Sequence, residues 1–205
     1  MLLEIRPQNP DIRQISEVVD VLNKGGLVII PTDTIYAAAC LISNLKGIEA
    51  LSRKLGKKVH KANFSILCRD FTQLAEYTLP VSNPTFKLMK QVLPGPYTFI
   101  LKASHQVPRL FRENKKTIGI RVPDNDILKA ILEQLGQPLV ATSIHSEDEI
   151  IEYLTDPFEI EKYFGPIVDV VVDGGIGGNL ASTIIDCTEN VPEIVRQGKG
   201  IIDQE

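Results

Sequence analysis

A chain of 205 residues that is 43% hydrophobic and 23% charged can fill one sizeable core and is too apolar for a disordered protein. No apolar run approaches the roughly 20 residues of a membrane helix, and Met1-Leu2-Leu3-Glu4-Ile5-Arg6 has neither the basic nor the long apolar region of a signal peptide. The net charge of −4 argues against non-specific coating of nucleic acid, and Cys40, Cys68 and Cys187, widely spaced beside apolar runs, read as reduced core thiols of a cytoplasmic protein.

Helix and strand signals alternate along nearly the whole chain. Ile15, Val18, Val19 and Leu22 share one helical face, and Gly25-Gly26 ends that helix before a strand over 27–30. Leu45, Ile48 and Leu51 repeat the helical spacing up to Gly56, and a strand over 64–68 follows. Asp70 is placed to cap a short helix, and Asn83-Pro84 reads as an N-cap with a first-turn proline for a helix carrying Phe86, Leu88, Met89 and Val92. After Pro94-Gly95-Pro96 come strands over 97–102 and 117–122, then a helix over 127–135 ended by Gly136. Pro138-Leu139-Val140-Ala141 leads a strand into Thr142-Ser143, Asp156-Pro157 starts a helix, and strands over 168–172, 183–185 and 194–196 complete the pattern. With no linker, low-complexity tract or repeat, the expectation is a single α/β domain over 1–205. The strand-rich last third predicts a mixed rather than a purely parallel sheet.

The chemistry concentrates where the apolar run Val28-Ile29-Ile30 stops at Pro31 and opens into Thr32, Asp33, Thr34 and Tyr36. A rigid strand ending in a polar cluster is where an α/β protein can hold a small molecule, although such a corner can equally be a plain strand-to-loop turn. Arg53, Lys54, Lys57, Lys58, His60 and Lys61 form a basic cluster that suits a phosphate-bearing ligand, one face of an RNA, or simply a solvated helix end. The run Asp173-Gly174-Gly175-Ile176-Gly177-Gly178-Asn179 lacks a following Gly-Lys-Ser/Thr and precedes a strand, so it reads as a turn over the site and not as a phosphate loop. His60, His105 and His145 show no metal-ligand spacing, the cysteines are unpaired, and Asp33 is a lone acid, so no metal site is predicted. Neither a Ser-His-Asp order nor a G-x-S-x-G elbow is present.

The chain resembles the Sua5/YrdC/YciO family through landmarks that recur in order. They are Lys24-Gly25-Gly26 with Pro31-Thr32-Asp33-Thr34, the basic segment leading into Asn63-Phe64-Ser65, and Pro94-Gly95-Pro96-Tyr97-Thr98-Phe99. Then follow Thr117-Ile118-Gly119-Ile120-Arg121-Val122-Pro123, Ala141-Thr142-Ser143, Ser182-Thr183-Ile184-Ile185-Asp186 and Ile194-Val195-Arg196-Gln197-Gly198. Cys68-Arg69-Asp70 and Tyr97-Thr98-Phe99-Ile100-Leu101-Lys102 look most like the YciO branch. The resemblance implies a twisted mixed sheet with flanking helices and a concave, positively charged pocket, without the additional C-terminal domain of the longer Sua5 proteins. It also implies condensation of ATP, L-threonine and bicarbonate into threonylcarbamoyl-adenylate and pyrophosphate, for the t6A modification of tRNA. Mg²⁺ would accompany the ATP, and no tightly bound prosthetic group is implied.

Carried over by position, the resemblance implies that Thr32, Arg121 and Ser182 bind threonine. Thr117, Ala141, Ser143 and Arg196 would meet the nucleotide. Lys54 and Lys58, four apart, would serve as a cationic pair on both the phosphates and the chemistry, together with Arg121. A strand arginine among apolar neighbours needs an anion, either a ligand's or an internal carboxylate's. Three departures stand out: Lys58-Val59 where the family has arginine and proline, His145 where it has asparagine, and an acidic run over 147–152 where it has Ser-Gly. They keep open a second reading, a YciO-type paralogue that binds double-stranded RNA or tRNA with weak or changed nucleotide chemistry.

Overall fold

The computed structural model describes residues 1–56, 64–112, 116–145 and 153–202. Its strands form one mixed sheet of ten, β1 (Leu2–Glu4), β2 (Val28–Ile30), β3 (Ala37–Leu41), β4 (Ser65–Leu67), β5 (Tyr97–Lys102), β6 (Thr117–Arg121), β7 (Leu139–Ser143), β8 (Val170–Asp173), β9 (Thr183–Asp186) and β10 (Glu193–Arg196). Across the sheet they run β1-β8-β2-β3-β7-β4-β6-β5-β9-β10. Parallel pairs (β1 with β8, β8 with β2, β4 with β6, β5 with β9) are interleaved with antiparallel ones, as the strand-rich last third implied.

Two helices cover one face of half this sheet. In α1 (Ile12–Asn23), capped by the Asp11 carboxylate, Ile15, Val18, Val19 and Leu22 are buried. In α6 (Asp126–Leu135), capped by Asn125 and closed by left-handed Gly136, Ile127, Leu128, Ile131 and Leu132 are buried. Both pack on a row that includes Val28, Ile30, Ala37, Ala39, Leu41, Leu139, Ala141, Val170, Val172 and Leu67. The other face carries a larger core around Ile29, Cys40, Ile66, Phe99, Ile120 and Val171. Onto it pack α2 (Leu45–Lys54), α3 (Phe71–Tyr77), α4 (Asn83–Val92), α5 (Arg109–Arg112) and α7 (Pro157–Phe164). Burying this apolar area, at about 25 cal/mol per Å², is the main term holding the layers together.

Two local expectations need correction. The cap of α4 is Ser82, whose backbone is still extended and whose hydroxyl accepts from Thr85 N–H, so Asn83 is already the first helical residue and Pro84 the second. The loop expected after Pro31 is short, because 37–41 (Ala-Ala-Ala-Cys-Leu) is a strand between β2 and β7.

Candidate functional site

The turn after β2 is built by Thr32. Its hydroxyl donates to Ile35 O at 2.7 Å, accepts from Thr34 N–H at 3.1 Å, and lies 3.0 Å from Thr34 Oγ1. This reverses the chain into β3 and directs Asp33 and Thr34 at the end of β6. There Arg121 Nη2 meets Asp33 Oδ1 at 2.5 Å and Thr34 Oγ1 at 3.1 Å. Asp33 Oδ2 accepts the backbone N–H of Asp124 at 3.1 Å. Both members of the pair are buried, with 9% of the Arg121 side chain and 7% of the Asp33 side chain exposed. Burial pulls the Arg121 guanidinium below its ordinary range; Asp33 opposes that pull, and the nearby charge of Arg196 adds to it. Among the described residues, buried Arg121 Nε has no hydrogen-bond partner. An unsatisfied donor on a buried charged group costs about 1–3 kcal/mol or more.

Beside the pair, the cover of α1 and α6 stops. Register places Ala141, Ser65, Gly119 and Ile100 in one row, with Thr117 and Ser143 on the same face beyond it and Arg121 and Thr98 before it. Ala141 is still buried under the helices, whereas Ser65, Thr117, Gly119 and Ser143 are partly open. A Cβ at position 119 would sit 3.0 Å from Ser65 Oγ and 3.2 Å from Thr98 Cγ2, so glycine there keeps the floor flat. Ser182 lies at the edge of this face, its hydroxyl 2.8 Å from Thr98 Oγ1. Its carbonyl accepts Arg196 Nη2 at 2.8 Å. After β10 the chain doubles back across 181–183: Gly198 N–H donates to Thr183 Oγ1 at 2.9 Å and Lys199 N–H to Ala181 O at 2.8 Å. This return carries the Lys199 ammonium to 2.5 Å from Asp33 O.

On the other side of Asp33 opens a cleft of about 450 Å³, whose walls include Pro31, Thr32, Asp124, Lys199 and the glycine-rich run over 174–178. Tyr36 anchors that run, its hydroxyl donating to Gly175 O at 2.7 Å and accepting Gly174 N–H at 3.1 Å. A Cβ on Gly178 would run into the Thr34 carbonyl, so the run can lie this close only as glycine.

The structure thus gathers Thr32, Arg121, Ser182 and Arg196 around one point and sets Thr117, Ala141 and Ser143 on the adjoining sheet face. It does not gather Lys54, whose ammonium is 2.5 Å from the Ile167 carbonyl on the segment leading into β8, while the cleft lies where β8 leaves. A lysine in the last turn of α2 reaches the nearest free carbonyl. Lys58 lies outside the described residues, as do most of the basic cluster and the acidic run over 147–152. His145 is described, exposed, with its ring 5.1 Å from that of Tyr153. The carboxylate that a buried strand arginine demands is Asp33. The sequence points to the cluster of Asp33 and Thr34 without showing that it pairs with Arg121, and it assigns no ligand role to Ser65, Thr98, Gly119 or Lys199. Period two along 117–121 marks Gly119, and the same alternation from Phe64 and Ile66 marks Ser65. For Lys199 no sequence signal exists. Among the described residues no group of three His, Cys, Asp or Glu could hold a metal, and both Asp33 oxygens are already engaged.

The family model Sua5_yciO_yrdC, described as "Telomere recombination", matches residues 20–198. The chain belongs to the Sua5/YciO/YrdC family. It is 41% identical over 198 residues to YciO of Escherichia coli K12, covering 96% of this chain and 94% of that one. The crystal structure of E. coli YciO superposes with a TM-score of 0.90 at 40% identity, over 98% of this chain and 97% of that one. More distant is a threonylcarbamoyl-AMP synthase of Nitrosococcus oceani, 27% identical over 157 residues, or 77% of this chain and 83% of the enzyme. The structure of P. abyssi Sua5 complexed with L-threonine superposes with a TM-score of 0.86 at 25% identity, over 97% of this chain and 57% of that one. The fold expected from the ordered motifs is therefore the fold of the family.

Proposed function

We propose that the protein is an enzyme of the threonylcarbamoyl-AMP synthase type. The observation that carries this reading is the buried guanidinium of Arg121, paired to Asp33 and Thr34, beside a sheet face of hydroxyls and glycine that α1 and α6 leave partly open. In the reaction the amine of L-threonine attacks the carbon of bicarbonate and water leaves. The resulting carbamate oxygen then attacks the α-phosphorus of ATP and pyrophosphate leaves, so no enzyme nucleophile is needed. Arg121 takes the threonine carboxylate through its guanidinium, with Ser182 and the Thr32 turn at its sides. Thr117 and Ser143 receive the nucleotide along the floor, with Ala141 at its covered border and Arg196 at the rim. Mg²⁺ enters as part of the nucleotide substrate, held by its phosphates. Lys54 is given no role, because its ammonium faces Ile167.

The reading is supported by the synthase and threonine-bound Sua5 relatives. It is tested by incubating the protein with Mg·ATP, L-threonine and bicarbonate and detecting the adenylate by mass spectrometry. Arg121→Lys keeps the counter-charge for Asp33 but loses the planar fork, and the reading expects about a hundredfold less product per unit time. No adduct from folded wild-type protein, or undiminished product from Arg121→Lys, refutes it. The RNA reading depends on the basic cluster over 53–61, and no observation among the described residues favours it.

A further inference from the structure

The cleft beyond Asp33 is a compartment distinct from the sheet face. Strands β1, β8 and β2 run parallel to one another, and the chain that follows each of them lines the cleft. Pro7 comes after β1, the glycine-rich run after β8, and Pro31 to Thr34 after β2. In an open α/β sheet the space outside the carboxyl ends of the strands is where a small molecule is held, and about 450 Å³ is the size of such a site. Arg121 is not part of this wall, although Asp33 and Thr34, which bind it, are.

Two exposed side chains of opposite charge line the cleft, Lys199 and Asp124. The Lys199 ammonium rests on a neutral acceptor, the Asp33 carbonyl, and Asp124 engages Asp33 Oδ2 through its backbone N–H. Among the described residues neither has an ion-pair partner. Both adjoin the same residue, which puts them within reach of one small molecule. Asp124 disfavours a polyanion and Lys199 disfavours a simple amine, whereas a molecule carrying one carboxylate and one ammonium satisfies both. Much of the remaining wall is apolar. Pro7, Pro31 and Pro96 have no N–H, and Ile176, the one side chain of the run over 174–178, is 75% exposed. Covering Ile176 removes apolar surface from water and favours an aliphatic ligand. We propose that this cleft binds a free α-amino acid with an aliphatic side chain. Its carboxylate lies on Lys199, its ammonium on Asp124, and its side chain against Ile176 and the prolines. The site is separate from Arg121 and does not depend on the function proposed for that residue.

The test is calorimetric titration at pH 7 with L-leucine, L-leucinamide, which lacks the carboxylate, N-acetyl-L-leucine, which lacks the ammonium, and glycine. Leucine is expected to bind the wild type, and glycine at least about tenfold more weakly, for want of the side chain. Lys199→Met is expected to weaken leucine about fivefold and to leave leucinamide unchanged, the size of one contact at an exposed charge. Asp124→Asn is expected to weaken leucine by a similar factor and to leave N-acetyl-leucine unchanged. Lys199→Arg, which keeps the cation, is expected to bind leucine as the wild type does. No binding of leucine in the millimolar range overturns the proposal, as does glycine binding as tightly as leucine. A loss below about twofold in either charge variant overturns it, and so does an equal loss with the analogue that lacks the matching group. A drop in Lys199→Arg as large as in Lys199→Met assigns Lys199 to packing and overturns it equally. Adenylate formation is not the readout, so a protein that makes no adenylate yet binds leucine in this pattern removes the proposed reaction and leaves the site standing. A protein that makes the adenylate but lacks the pattern loses only the site.

Discussion

Tyr36→Phe isolates what ties the glycine-rich run to the cleft. The ring stays, and only the oxygen that bridges Gly175 O and Gly174 N–H is lost. Each neutral hydrogen bond contributes about 1 kcal/mol net. The two partners are not equally affected, since Gly175 is exposed and its carbonyl rehydrates, whereas Gly174 is half-buried and its N–H keeps part of the desolvation penalty. Adding about 1 kcal/mol for that donor gives about 3 kcal/mol in all. In a chain of this size that lowers Tm by about 6–12 °C. Differential scanning calorimetry at pH 7 measures it, and a Tm within about 1 °C of wild type refutes the accounting. The same variant carries a pH signature. Burial pushes the Tyr36 phenol from 10.0 up to about 12, so the native state keeps a proton that the unfolded chain releases. Stability from this group is therefore full below pH 10 and is lost as pH rises through 12, and the deficit of Tyr36→Phe should narrow over that window.

Three further outcomes follow from the geometry. Gly178→Ala drives a methyl into the Thr34 carbonyl and should cost about 1–3 kcal/mol by chemical denaturation, whereas the absence of any loss would mean that the run moves freely. Gly119→Val crowds a branched side chain between Ser65 and Thr98; it should cost about 1–3 kcal/mol of stability and weaken ATP binding to the still-folded protein about tenfold in a fluorescence titration, and unaltered affinity would exclude the floor as the nucleotide surface. Burial holds the Cys187 thiol near 11 and the Cys40 thiol near 12 against an ordinary 9.0, so native-state alkylation at pH 8 should be slow at both and become fast in urea, with stability falling as pH climbs from 9 through those values.

The helices α1 and α6 are legible in the sequence because four apolar residues at helical spacing, a capping side chain and a closing glycine agree with one another. The strand β3 is not. Alanine has low strand preference, and 37–41 is a strand because β2 and β7 bracket it and both its faces are covered, where small side chains fit best. Strand β1 is three residues long and pairs with β8 at the far end of the chain, too short for alternation to register. The cluster at the site divides in the same way. That Arg121 needs an anion follows from its apolar neighbours. Which of the 26 acidic residues supplies it does not, because Asp33 is 88 positions away and is delivered by a turn.

The position of the site is a consequence of how the sheet is covered. On β4 the change occurs within a single strand: Leu67 packs with α6, while Ser65, two residues earlier on the same side, is partly open. Beyond β4 the face is made by Thr117, Gly119 and the buried Thr98 and Ser182, with Ile100 as its one large aliphatic side chain among the residues placed there. A sheet face left partly open by α1 and α6 would be a sticky patch if it were wholly apolar, and its hydroxyls and glycine make it wettable and able to align a ligand. The charges reach that face from elsewhere, Asp33 from the β2–β3 turn, Arg196 from the end of β10 and Lys199 from the segment that doubles back after it. Neither group stands near Arg121 until β6 has docked between β4 and β5, so anion recognition arises only in the assembled sheet. A ligand that engages Arg121 therefore stabilises the whole fold through mass action, and not one loop alone.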